Sequence, residues 1–186
     1  MRTVASLTLC LSLLTGCEQR TSTPISPAPY TKVEPIPEFS LHHNVDDKKQ
    51  AFFDYLMPMI EQVNDEVLAD RNSIEAMQAP FSEQQQQQLA QLAKRYRVRS
   101  SDPQIQQQKL LIRLLPIPPS LVLAQAANES AWGTSRFATE GNNLFGQWCF
   151  RSGCGLVPQD RPEGAQHEVA VFDSPLASVR SYVRNL

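Results

Sequence analysis

The sequence predicts a mainly α-helical domain that carries one small β-hairpin. Three observations support this. Apolar residues recur at helical spacing along most of the chain, recognisable helix-start signals precede those runs, and a single glycine- and proline-rich stretch interrupts them before a short alternating run. At 186 residues with 41% hydrophobic content, one main domain with a tail is expected, with enough apolar surface for an ordinary core.

Taken in order, the first helix is expected from Asp46 to about Met77. Phe52, Tyr55, Leu56, Met59, Ile60, Val63 and Val67 fall on one face, and Pro58 is expected to kink or divide the helix. A second starts at Ser82, with Gln85 three residues on as in a capping box; Leu89, Leu92 and Tyr96 mark its buried side. The glutamine run from Gln84 to Gln88 reads as its solvated face. Asp102-Pro103 opens a third helix, which ends before Pro116. Pro118, Pro119 and Ser120 introduce a fourth, alanine-rich and therefore strongly helical, from Leu121 to about Trp132. From Cys149 to Phe172 the composition changes: Gly153, Gly155, Pro158, Pro162 and Gly164 predict a hairpin or long loop, and Val169 and Val171 a short strand. Ser174-Pro175 starts a last helix with Leu176, Val179 and Val183 on one side. It reaches Leu186 without a stop signal, so the sequence reads as truncated at its C-terminus.

The N-terminus reads differently. Arg2 followed by an apolar stretch from Val4 to Leu14, too short to span a bilayer, has the shape of a secretory signal. Its end, Leu14-Thr15-Gly16-Cys17, resembles the lipobox of bacterial lipoprotein precursors. That resemblance implies a signal peptide over residues 1–16 and a lipidated Cys17. It places the protein at the periplasmic face of the cell envelope, held to membrane by lipid, with Glu18 favouring the outer membrane. Residues 17–44 include Pro24, Pro27, Pro29, Pro35 and Pro37 and read as an extended tether, leaving a domain over 45–186. Cys10 falls in the signal. Cys149 and Cys154 then form an even, closely spaced pair, expected as a disulfide in an exported protein. A zinc site is disfavoured because only His167 lies near, so no metal is expected. The net charge of −2 lacks the basic excess of a nucleic-acid binder, and nothing in the sequence fixes an oligomeric state.

Chemistry concentrates after the fourth helix begins. Glu129 lies late on that helix. If the helix continues, Trp132, three residues on, lies against its carboxyl. A carboxyl kept dry by an indole holds its proton near neutral pH, as a general acid must. Asn142 and Asn143 offer amide groups suited to sugar hydroxyls, and Phe145 and Trp148 could stack on a sugar face; alternatively the asparagines form a tight turn and Phe145 packs in the core.

The run Ala127-Asn128-Glu129-Ser130-Ala131-Trp132-Gly133-Thr134-Ser135, followed by Gly141-Asn142-Asn143-Leu144-Phe145-Gly146, resembles the glucosaminidase-domain family, glycoside hydrolase family 73. Gly146-Gln147-Trp148-Cys149-Phe150 and Gly153-Cys154-Gly155-Leu156-Val157-Pro158 resemble the Bax-type envelope glucosaminidases within it. The resemblance runs from about Lys48 to the C-terminus. It implies a lysozyme-like helical fold, helical to about residue 116 with the catalytic part over 117–186. It implies Glu129 as catalytic acid, peptidoglycan glycan strands as substrate, and no cofactor. It also implies a second glutamate on a mobile hairpin, for which Glu163 and Glu168 are the best matches, ahead of Asp160 and Glu140; the substrate's own acetamido group is the alternative. The bond expected to be cut is the β-1,4 bond between N-acetylglucosamine and N-acetylmuramic acid. A muramidase or lytic transglycosylase, or a peptidoglycan-binding lipoprotein without activity, are the rival readings.

Overall fold

The computed structural model describes residues 35–186, so the signal segment 1–16, Cys17 and most of the tether lie outside the described residues. The described chain folds as six helices and a three-stranded antiparallel sheet, which agrees with the expected mainly helical class.

Helix α1, Val45–Glu75, is the central element, about 46 Å long at 1.5 Å per residue. The Asn44 side chain accepts from the amides of Asp46 and Asp47, and both acids sit in the first turn, where the helix dipole favours them. Pro58 does not divide it. This proline lies on the solvent side, where the Asp54 carbonyl that loses its helical partner is open to water. Phe52, Leu56, Ile60, Val63 and Val67 face inward at the predicted spacing.

Around α1 pack α3 (Pro103–Arg113), α4 (Pro119–Glu129) and α6 (Pro175–Asn185), while α2 (Glu83–Arg95) packs on α3. The predicted starts hold. Ser82 and Gln85 form the capping box, Asp102 caps α3 with Pro103 at its first turn, and the Ser174 hydroxyl accepts from Ala177 at the start of α6. Polar side chains fix the packing. Asn64 holds both the amide and the carbonyl of Ile117 at 2.9 Å, which sets where α4 begins. Arg71 donates to the Leu111 carbonyl at 2.6 Å, and Gln107 to those of Ile74 and Met77, so the ends of α3 and α1 satisfy each other. Glu66 on α1 receives both the Nε and Nη2 groups of Arg180 on α6, at 2.7 and 2.6 Å.

Two boundaries differ from expectation. Residues 35–44 were assigned to the tether, yet Phe39, in a 3-10 turn over Phe39–Leu41, is 1% exposed. Its ring packs edge-on to Phe52 at 5.5 Å, and a Cβ at Gly133 would come within 2.7 Å of it. One aromatic anchor is enough to dock a proline-rich segment. Helix α4 also stops at Glu129 instead of continuing to Trp132. Ala131, Trp132 and Gly133 all have positive φ, at 50°, 60° and 76°, which no right-handed helix allows.

Candidate active site

The turn after Glu129 is built by Ser130. Its hydroxyl is fully buried, donates to the Ala126 carbonyl at 2.6 Å and accepts from the Gly133 amide at 2.7 Å. Two non-glycine residues in the left-handed region cost on the order of 1–3 kcal/mol each, and such conformations persist only where their surroundings fix them. Here that fixing comes from Ser130, from the Trp132 amide bonded to the Ala127 carbonyl at 2.9 Å, and from the Ser135 amide bonded to the Ser130 carbonyl at 2.9 Å. Ser135 then caps α5 (Arg136–Gly141), a short helix the sequence reading did not foresee.

Trp132 does not shield Glu129 by helical spacing. Its ring packs against Phe52 and Phe53, at 5.7 and 5.6 Å, with the Lys49 ammonium 5.9 Å above it. Its described contacts are those of a core aromatic at the start of α1 and not of a sugar platform. Glu129 itself is exposed and not kept dry as expected, with Asn128 donating to its Oε1 at 3.3 Å and no ion pair among the described residues.

Facing Glu129 is the loop 142–147. Gly146, with φ +59°, passes so close that a Cβ there would lie 3.5 Å from the Glu129 carboxylate. The positive φ would strain any side chain at 146, while a Cβ there would meet the carboxylate only in ordinary contact. The loop is held from beneath by Asn143, which is 1% exposed and fully committed. Its Nδ2 donates to the carbonyls of Gln147 and Ala170, at 2.9 and 2.8 Å, and its Oδ1 accepts from the amides of Phe145 and Gln147, at 3.3 and 3.0 Å. No donor or acceptor is left for a sugar, so its expected substrate contact is replaced by a structural one. Asn142 caps α5 in the left-handed conformation and donates to the Phe172 carbonyl at 2.9 Å. Gln147 extends the clamp to α6, donating to the Ser178 carbonyl and accepting from the Ser181 hydroxyl.

Phe145 is also displaced from its expected role. It is buried and stacked face to face on Tyr182 of α6, with centroids 4.1 Å apart and 7° between planes. Tyr182 is the aromatic that reaches the site. Burial, and then the negative charge of Glu129, push its phenol above the ordinary range. The sequence reading passed over it. The available signal was an aromatic three residues from Val179, on the flank of an apolar helix face.

The small sheet closes this side. β1 (Trp148–Cys149) and β2 (Gly155–Leu156) both pair with β3 (Glu168–Ala170), three strands where a small hairpin was expected. Cys149 and Cys154 are joined as a disulfide, so neither thiol is free to hold a metal. Glu168 lies beneath that turn, 5% exposed, accepting from the amides of Gly153 at 3.0 Å and Gly155 at 2.8 Å. Those amides, Gly153 first, hold its carboxyl below the usual range. A carboxylate engaged in this way positions the turn and is not placed as a second catalytic group. Glu163 is exposed on the following loop. Trp148, two residues from Gly146, is 58% exposed and stacks on His167 with centroids 4.3 Å apart. The pair lines a hollow of about 450 Å³ together with Arg136, Phe137, Gln159 and Asp160. Of the expected sugar contacts, Trp148 is the one whose face the fold leaves available.

Comparison with known proteins agrees with this arrangement. Residues 105–186 match the family described as "Glucosaminidase: Mannosyl-glycoprotein endo-beta-N-acetylglucosaminidase". Over 159 residues the chain is 35% identical to "Protein bax" of Escherichia coli (strain K12), an alignment covering 83% of this chain and 56% of that relative. The chain carries a region similar to the glucosaminidase family over residues 105–186. It spans about half the length of the curated relative it matches. No solved structure is a significant match. The match to the glucosaminidase family takes in most of α3, all of α4, the Ser130 turn, the Asn143 loop, the sheet and α6, and so contains every residue placed around Glu129.

Proposed function

We propose that this domain hydrolyses the β-1,4 bond between N-acetylglucosamine and N-acetylmuramic acid in peptidoglycan, with Glu129 as proton donor. The observation that carries the reading is the accessible Glu129 carboxylate at the end of α4, without an ion pair among the described residues and faced by the backbone of Gly146. In such a site Glu129 protonates the departing glycosidic oxygen, which leaves as a hydroxyl. The anomeric carbon is captured by water, assisted by Glu163 or by the substrate's acetamido group. The Tyr182 hydroxyl orients the carboxyl or a sugar hydroxyl, and Trp148 offers a stacking face. No cofactor takes part in this scheme. We place the protein at the periplasmic face of the envelope with lipid on Cys17, a reading that rests on the lipobox-like sequence alone.

Mass spectrometry of digested sacculi tests the bond. Reducing-end N-acetylglucosamine is the expected product. Muramic or anhydromuramic ends would replace this assignment with a muramidase or transglycosylase. Binding of sacculi without any product would leave a glycan-binding lipoprotein.

A further inference from the structure

A groove lies between the end of α2 and the face of α3. It encloses about 510 Å³ and is lined by Arg97, Val98, Arg99, Lys109, Ile112 and Arg113. All four cations are exposed. Arg113 donates to the Tyr96 carbonyl at 3.4 Å, while Arg97, Arg99 and Lys109 form no ion pair among the described residues. The nearby acids are committed elsewhere. Asp70 takes Arg95 and the Tyr96 hydroxyl, both at 2.9 Å, and Asp102 accepts the first amides of α3. In a chain of net charge −2, this is a local positive field without internal neutralisation.

The apolar residues decide what it fits. Ile105, Lys109, Ile112 and Arg113 follow i, i+4, i+7, i+8 spacing and form one outward stripe of α3, while Gln106 and Leu110 face the core. Ile112 is 74% exposed, Ile105 40%, and Leu115, just beyond the helix, 50%. A small soluble anion has no use for exposed isoleucines. At a bilayer surface the same stripe is complementary throughout: apolar side chains enter the acyl boundary, and Lys and Arg heads stay at the phosphate level.

We propose that this face docks on anionic phospholipid headgroups and lays α3 along a membrane surface. Helix α1 carries Phe52 beside Trp132 at one end and Arg71 beside α3 at the other, a separation of about 28 Å at 1.5 Å per residue. Along α1, the Trp132 turn and the docking face therefore lie toward opposite ends.

The test is partition of the full chain between buffer and vesicles, either containing phosphatidylglycerol or made of phosphatidylcholine alone. Both variants keep the same N-terminal residues as the parent, so any contribution from those residues cancels in the comparison. The parent is expected to bind the anionic vesicles more tightly, and less so as salt rises. Arg97→Gln/Arg99→Gln/Lys109→Gln should lower the partition coefficient about a hundredfold at low salt, about fivefold per cation. A separate Ile112→Ser variant should lower it about tenfold. Equal binding of the parent to both vesicle types overturns the proposal, as does a triple variant that binds like the parent. So does an Ile112→Ser variant that binds like the parent while inositol hexakisphosphate strips the protein from vesicles, which would make the groove a soluble-polyanion site.

Discussion

Replacing Asn143 by alanine separates a structural role from a sugar-binding one. The side chain makes four hydrogen bonds at 2.8–3.3 Å from a site 1% exposed. After truncation the Gln147 carbonyl still accepts the Ala170 amide, but the Ala170 carbonyl loses Asn143, and so do the amides of Phe145 and Gln147. Three groups left without this partner, one on buried Phe145 and two on half-buried Gln147 and Ala170, at about 1–2 kcal/mol each, give a loss of about 3–6 kcal/mol. For a domain of this size that is a fall in Tm of roughly 6–24 °C, a large share of an ordinary stability margin. Urea unfolding followed by circular dichroism, beside calorimetry, measures it. Asn143→Asp keeps the acceptors but sets a charge against two carbonyls in place of the donors, and should cost at least as much. If Asn143→Ala instead unfolds within about 1 kcal/mol of the parent and loses only glycan turnover, the clamp reasoning fails and the amide meets the sugar after all.

Four further outcomes follow from the same geometry. Glu129→Gln should keep the thermal transition and lower turnover of peptidoglycan by about 10²–10⁴-fold; substantial residual hydrolysis removes Glu129 from the role of acid. Tyr182→Phe retains the stack on Phe145 and should fold normally, yet lower kcat/KM by about ten- to a hundredfold through the lost hydroxyl; unchanged steady-state kinetics refute it. Cys149→Ser/Cys154→Ser opens a loop whose closure contributes about 2 kcal/mol, and turnover should fall more than stability; free thiols reactive to maleimide in the oxidised parent would show that no bond forms. Glu168 has a carboxyl lowered on folding, so its stabilisation is present above the ordinary carboxylate range and is lost as pH falls through the lowered value. Unfolding midpoints measured against pH should therefore drop in acid, and Glu168→Gln should flatten that part of the slope.

What could be read from sequence and what could not divide along a physical line. Helix starts were legible because a cap is a local device: Ser82 with Gln85, Asp102 with Pro103, and Ser174 each act within a few residues of themselves. The inward faces of α1 and α6 were legible because burial imposes a period. The position of Trp132 was not, because the end of α4 depends on two consecutive left-handed residues. The Ser130 hydroxyl, the backbone bonds of Trp132 and Ser135, and the packing of Phe39 against Gly133 make these tolerable, and none of them shows as a pattern in the chain. Asn143, Phe145 and Glu168 are polar or aromatic residues in a motif, and residue type alone suits a ligand as well as it suits a clamp. Their partners, Ala170, Tyr182 and Gly153, lie 27, 37 and 15 residues away. The Cys149–Cys154 pair was legible because its partners are five apart and the pairing needs no long-range contact.

Two of those three long-range pairs, Asn143 with Ala170 and Glu168 with Gly153, meet on one three-residue strand. β3 is the middle strand, and each of its positions carries a separate part of the site. The Glu168 carboxylate holds the disulfide turn through two amides. Val169 is the register partner of Trp148 on one side and Leu156 on the other, so it sets the height of the exposed indole. Ala170 gives its carbonyl to Asn143 and its amide to the Gln147 carbonyl, which fixes the loop carrying Gly146 over Glu129. A strand this short has few hydrogen bonds to share strain among. A change at the turn and a change at the loop are therefore coupled through the same backbone. A double-mutant cycle between Glu168→Gln and Asn143→Ala should give a coupling of about 0.5–3 kcal/mol in unfolding free energy, where independent sites would add. Additivity within a few tenths of a kcal/mol would mean that β3 does not link them, and that the turn and the loop are held separately.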